Sequence, residues 1–279
     1  MIEMLINGSA TTTLDARDRG LHYGDGLFET IAVRDGSPAR WDAHMQRLAL
    51  GCQRLAIPAI DASLLAGEAM RLCAGVERGV LKIIITRGGG GRGYRAPAMD
   101  AVRPTRIVAL HSWPDYPDIF WTEGVSVRIC ATRLGHNPLL AGIKHLNRLE
   151  QVLARSEWDD PGVVEGLMLD QDGNVIEGTM TNLFIVRDGR LRTPDVSQCG
   201  VAGVMRGWIL DAARGLGIAC EIGAVTLEDI AFAEEVFLCN CLISVWPVRE
   251  IEGKRFEVDG AVTRRIVSKL RYAAMSRQR

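Results

Sequence analysis

Short apolar runs bounded by glycine and proline alternate along this chain with stretches in which apolar residues recur every three or four positions, the former marking strands and the latter helices. Residues 4–6 and 27–33 read as strands, with turns at Asn7-Gly8 and Asp35-Gly36. A helix follows over about residues 41–55, because His44, Leu48 and Cys52 share one face at four-residue spacing and Asp42 suits its first turn. Residues 80–86 and 106–110 are apolar enough for buried strands, and a glycine-rich loop joins them. Residues 111–123 hold Pro114, Pro117 and several aromatics without any period, which predicts a linker.

Beyond it, residues 125–131 read as a strand and Asn137-Pro138 as a loop. A helix is predicted from about 145 to 158, with Leu146, Leu149 and Leu153 along its buried stripe. Strands over 163–169, 183–186 and 191–193 are punctuated by the hairpin signals Asp172-Gly173 and Asp188-Gly189. A helix begins near Gly203-Val204, residues 236–238 form another strand, and a basic helix runs from Thr263. The pattern predicts a two-domain α+β / α/β protein: a smaller N-terminal α+β domain over residues 1–112, a linker over 113–123 and a larger C-terminal domain over 124–279.

With 279 residues and 47% apolar content, the chain can bury a substantial core. Its 33 basic and 34 acidic side chains nearly cancel, so no nucleic acid and no membrane surface is expected as a partner. The six Lys/Arg after Asp259 read as a solvated terminal helix. The apolar runs are too short to cross a bilayer and Met1-Ile2-Glu3 lacks the basic start of a signal peptide, so a cytoplasmic location is expected. Seven cysteines without a C-x-x-C pair fit free thiols, and Cys239 and Cys241, with no histidine nearby, make a poor zinc pair; no metal is expected.

Four stretches bear chemistry. Gly88-Gly89-Gly90-Gly91-Arg92-Gly93-Tyr94 lacks the ending of a P-loop and reads equally as a flexible loop or as a substrate-facing lid. Lys144 is set among Leu139, Leu140, Ala141, Ile143 and Leu146. A lysine at a helix entry is usually a solvated charge, but apolar surroundings lower its pKa and favour the neutral amine that imine or base chemistry requires. Glu177 ends an apolar strand before small polar residues, either as an ordinary strand-end carboxylate or as the partner of a buried cation. Gly200-Val201-Ala202-Gly203-Val204-Met205 leads into a helix whose free N–H groups suit a phosphate.

In this order and spacing, these stretches resemble the class IV, or fold-type IV, pyridoxal-phosphate enzymes (the D-amino acid aminotransferase-like fold) over nearly the whole chain. The opening motif Asp18-Arg19-Gly20 and Tyr23-Gly24-Asp25-Gly26-Leu27-Phe28-Glu29-Thr30 is similar to theirs, and His44-Met45-Gln46-Arg47-Leu48 is similar to their H-x-x-R-L. The resemblance implies pyridoxal 5'-phosphate as cofactor, Lys144 as the Schiff-base lysine and Arg47 as a phosphate anchor. It also implies Glu177 as the carboxylate facing the pyridine nitrogen, Val201 against the ring, the N–H groups of Val204 and Met205 on the phosphate, and Asn240 in a further contact. Most of this site would fall in the C-terminal domain. Met205 and Cys239-Asn240-Cys241 depart from the transaminases, which carry hydroxyl side chains there.

Ala141-Gly142-Ile143-Lys144-His145-Leu146-Asn147-Arg148-Leu149-Glu150, Arg87 through Tyr94, and Cys239-Asn240-Cys241-Leu242 are similar to the lyase branch of the family, which acts on aminodeoxychorismate. Phe28 stands where the D-amino acid transaminases keep a tyrosine. The resemblance implies a carbon–oxygen lyase of folate biosynthesis that releases 4-aminobenzoate and pyruvate, with Lys144 as both anchor and base. By the same resemblance Arg92, Tyr94 and Arg106 would meet the substrate carboxylates, Thr30 or His145 would assist proton movement, and the protein would be a homodimer. The alternatives are a D-amino acid or branched-chain aminotransferase on the same scaffold, and a non-catalytic nucleotide or nucleic-acid binder.

Overall fold

The computed structural model describes residues 3–275; Met1 and Ile2, and the tail arginines Arg277 and Arg279, lie outside the described residues. The chain divides into two compact units, one of Met1–Asp115 with Ile143–Arg148, the other of Tyr116–Gly142 with Leu149–Arg279.

In the first unit, β1 (Glu3–Ile6), β2 (Ser9–Ala10), β3 (Gly26–Arg34), β4 (Ser37–Pro38), β5 (Arg78–Thr86) and β6 (Thr105–Ser112) form a six-stranded sheet in the order β2-β1-β6-β5-β3-β4. Among the described residues, its strand pairings are antiparallel. Three helices accompany it: α1 (Arg19–Tyr23), α2 (Trp41–Arg54) and α3 (Ala62–Cys73). Strand alternation sorts the side chains. Leu27, Glu29, Ile31 and Val33 of β3, with Leu81, Ile83 and Ile85 of β5, are buried, and Glu29 meets His44 of α2. Phe28, Thr30, Lys82 and Ile84 fall on the opposite face and stay half-buried. Thr30 pairs directly with Lys82, and Phe28 with Ile84. α3, which the apolar pattern did not single out, begins at Asp61, whose carboxylate accepts from the Ser63 N–H.

The second unit contains α4 (Ile119–Thr122), β7 (Val125–Leu134), α5 (Leu149–Arg155), β8 (Val163–Asp170), β9 (Val175–Gly178), β10 (Asn182–Arg187) and β11 (Arg190–Pro194). It continues with α6 (Val204–Gly215), β12 (Cys220–Gly223), α7 (Leu227–Ala231), β13 (Glu235–Asn240), β14 (Ser244–Ile251), β15 (Lys254–Arg255) and α8 (Ala261–Met275). β9 pairs with both β8 and β10, so β10, β13, β14, β7, β8 and β9 close on themselves as a barrel. Leu183 and Ile185 enter one apolar cluster, while Phe184 and Val186 enter another with Met205 and Ile209 of α6. Burial on both faces is why β10 reads as a continuous apolar run.

Two expectations need correction. Residues 113–123 are not a bare linker: they include α4, and Tyr116, Phe120 and Trp121 pack edge-on against the buried Trp246 while the Trp121 indole donates to the Ile243 carbonyl. The helix expected from 145 to 158 begins only at Leu149. Residues before it are held in line with β3, since the Phe28 N–H donates to Lys144 O and the Leu146 N–H to Gly26 O. The Arg148 guanidinium also donates to the carbonyls of His145 and Ile143. Backbone groups already paired this way cannot make the i→i−4 bonds of a helix. Leu149 and Leu153, expected on a buried stripe, are 76% and 61% exposed.

Candidate active site

Lys144 belongs to the first unit through that pairing, not to the stretch beyond residue 124 where the pattern had put it. Its Nζ lies 4.4 Å from the centroid of the Phe28 ring, and the Nζ of Lys82 lies 5.5 Å from the same centroid. Thr30 completes this patch by its pairing with Lys82. Lys82 was missed in the sequence, although a charge inside the apolar run Val80-Leu81-Lys82-Ile83-Ile84-Ile85 is the kind of residue that demands a reason.

Arg47 and His44 extend from α2 to the buried carboxylate of Glu29. The Arg47 fork makes two contacts, Nε to Oε1 at 2.8 Å and Nη2 to Oε2 at 2.5 Å, and His44 Nδ1 lies 2.6 Å from Oε2. Burial pushes the Glu29 carboxyl up, but the hydrogen bonds from His44 and Arg47 outweigh it and hold the group below the usual glutamate value. The expected phosphate anchor is thus fixed in place by a carboxylate.

His145 has a buried Nδ1 with no hydrogen-bond partner. Burial, with help from the Arg148 and Lys144 charges, pulls its pKa down from 6.5 to about 4. At neutral pH the imidazole is therefore uncharged. Because the folded value lies below the unfolded one, the unfolded chain takes the proton first, and stability falls as pH drops from 6.5 toward about 4. Urea unfolding of His145→Gln across that range should show a flatter dependence than wild type; equal slopes would contradict this burial.

Three expected substrate contacts are not brought to the Phe28 face. Arg106 pairs with Glu68 of α3, its Nη2 at 2.8 Å from Oε1, because its place opposite Ile85 turns it toward the helices. Arg92 lines a cavity of about 850 Å³ with Arg17, Arg19, His22 and Tyr23, whose lining includes none of Phe28, Lys82 or Lys144. Tyr94 is 89% exposed, its ring centroid 5.5 Å from that of Tyr23. The loop itself is fixed by Arg19, which donates to the carbonyls of Gly93 and Tyr94 and pairs with Asp25.

In the second unit, Glu177 is buried and its Oε2 accepts from the Val201 N–H at 2.8 Å. Asn182, paired with Glu177 across the β9–β10 junction, donates from Nδ2 to the Val201 carbonyl at 2.9 Å. Val201 is thus gripped at both of its main-chain polar groups, and Gly142 pairs beside it. α6 starts immediately beyond. Its N-cap is Gly203, no side chain caps it, and no acid stands in its first turn, so the N–H groups of Val204 and Met205 present positive charge at the helix start. A Cβ at Gly203 would lie 2.0 Å from the Asn182 Oδ1, which is why glycine stands there. The Asn240 amide serves its own unit: Oδ1 accepts from Leu242 and Ile243, and Nδ2 donates to the Met180 carbonyl.

Each unit by itself carries groups that suit part of pyridoxal phosphate: the first an amine over an aromatic ring, the second a buried carboxylate held by a main-chain N–H and an uncapped helix start suited to a phosphate dianion. Residues 26–251 match the family described as amino-transferase class IV. The chain belongs to that family of pyridoxal-phosphate enzymes. It is 38% identical to the aminodeoxychorismate lyase of Vibrio harveyi over 268 residues, 95% of this chain and 98% of that one. The crystal structure of 4-amino-4-deoxychorismate lyase from Pseudomonas aeruginosa superposes with a TM-score of 0.92 at 49% identity, covering 96% of this chain and 98% of that one. The branched-chain amino acid aminotransferase of Escherichia coli gives a TM-score of 0.86 at 27% identity, covering 95% and 92%.

Proposed function

We propose that the protein is an aminodeoxychorismate lyase, converting 4-amino-4-deoxychorismate to 4-aminobenzoate and pyruvate. The observation that carries the reading is the pair of amines about one aromatic ring: the Nζ atoms of Lys144 and Lys82 both lie over Phe28. The higher identity to the Vibrio harveyi and Pseudomonas aeruginosa lyases than to the aminotransferases supports it. When bound, pyridoxal phosphate supplies an electron sink for the carbon that loses its proton. Lys144 would hold the cofactor, and its neutral Nζ would take the proton from the substrate C4. The C3–O bond then breaks, the six-membered ring becomes aromatic, and the departing enolpyruvate takes up a proton to become pyruvate. Glu177 would set its negative charge toward the pyridine nitrogen, Val201 would pack against the ring, and the α6 N–H groups and Arg47 would hold the phosphate.

Lys82 and Thr30 meet a substrate carboxylate. Lys82→Met should raise KM about tenfold while leaving kcat within a few-fold, as expected when a charged hydrogen bond made equally to substrate and transition state is lost. Steady-state kinetics decide this, and an unchanged KM would remove Lys82 from the site.

The protein acts as a cytoplasmic homodimer. Leu139, Leu149, Val152 and Leu153 expose 80%, 76%, 56% and 61% of their surface within one stretch of sequence, a quantity of bare apolar side chain suited to a second copy. Seven cysteines held as thiols suit a reducing compartment. The test of the reaction itself is sustained turnover without any keto acid. A lyase releases 4-aminobenzoate and pyruvate in equal amounts over many cycles, whereas an aminotransferase stops after one until an amino acceptor is added.

A further inference from the structure

Glu165 of β8 is fully buried, and none of the steps above uses it. Five donors converge on its carboxylate. Oε1 accepts from the Gly166 N–H at 2.9 Å, the Thr179 N–H at 3.1 Å and the Thr179 hydroxyl at 2.5 Å. Oε2 accepts from the Met180 N–H at 3.1 Å and the Thr181 hydroxyl at 3.0 Å. Burial holds this carboxyl above the usual glutamate value, although the hydrogen bonds pull against it. Residues 178–181 form the turn that joins β9 to β10, closed by the Gly178 N–H on the Thr181 carbonyl. A Cβ at Gly178 would lie 2.2 Å from the Thr181 Oγ1 and 2.8 Å from the Glu165 Oε2, so the turn is built around the carboxylate with no room to spare.

This turn has Glu177 immediately before it and Asn182 immediately after it, the two side chains that grip Val201. Its Met180 carbonyl also receives Asn240. A tight hairpin would normally satisfy its own backbone; here two of the turn's N–H groups and two hydroxyls donate to one side chain from a neighbouring strand, the Thr179 N–H being shared with the Gly166 carbonyl. We propose that Glu165 is a positioning residue for the cofactor: its carboxylate sets the 178–181 turn, and through it the placement of Glu177, Asn182 and the Val201 backbone against the pyridoxal ring. The inference rests on the reading of Glu177 and Val201 as ring contacts.

In Glu165→Gln the amide NH2 must face the Met180 N–H, leaving that donor unsatisfied and the turn displaced. Titration of the apo protein with pyridoxal phosphate should show affinity about tenfold weaker, and the visible absorbance and circular dichroism bands of the saturated protein should shift. Thr181→Val removes one donor while keeping the shape, and should shift both readouts in the same direction by a smaller amount. A Glu165→Gln protein with wild-type affinity and bands, even one that melts earlier, overturns the proposal by leaving Glu165 a purely structural role. If that variant does not fold, wild-type values in Thr181→Val overturn it equally. Glu177→Gln is measured alongside: if it too moves neither readout, the placement of the ring is what fails, whereas an effect confined to Glu177→Gln rejects Glu165 alone.

Discussion

Lys144→Ala should lose about a thousandfold or more in turnover, because one side chain serves as both the covalent anchor and the base. The amine cannot be replaced by its neighbour. Lys82 Nζ sits 1.1 Å farther from the Phe28 centroid, at 5.5 Å against 4.4 Å, and its strand is fixed between β3 and β6. The variant should still bind pyridoxal phosphate through the phosphate contacts, but release it on gel filtration. Product formation by a sensitive 4-aminobenzoate assay measures the first effect and cofactor retention the second. Turnover within tenfold of wild type would remove Lys144 from the chemistry.

Glu177→Gln is the other large effect expected. The amide can still accept from the Val201 N–H, so the local structure survives, but the negative charge that favours a protonated pyridine nitrogen is gone. kcat should fall roughly a hundredfold or more with KM little changed, the pattern of an interaction felt only in the transition state. A variant that lost affinity for cofactor and substrate while keeping kcat would instead mark Glu177 as a scaffold residue.

Much of the proposed site comes from the sequence, because Lys144, Glu177 and the Val201–Met205 stretch lie in local motifs. What the sequence hid were charges inside apolar strands. Lys82 in β5 and Glu165 in β8 acquire meaning only from what lies opposite them: Thr30 and the Phe28 ring for one, the 178–181 turn for the other. Arg106 shows the same lesson in reverse, since its place in the pleat sends it to Glu68 rather than to the Phe28 face.

The main features of the fold followed from period, but two failed for physical reasons. Residues from 145 read as the start of a helix, yet the stretch beside β3 bonds to Gly26 and Phe28, so tertiary hydrogen bonds outweigh local preference. Barrel closure depends on β9 pairing with β8 and β10 together, a long-range fact that no local window contains. The exposed Leu149 and Leu153 were read as core because their spacing suits a buried stripe, whether a neighbouring element or another chain covers it.

The central claim, that Lys144 carries the cofactor, is tested most directly by reducing the pyridoxal-phosphate-loaded protein with borohydride and mapping the labelled peptide. The account predicts a single label on Lys144, with loss of the visible absorbance band. A label on Lys82, or no label with saturating cofactor, would contradict it.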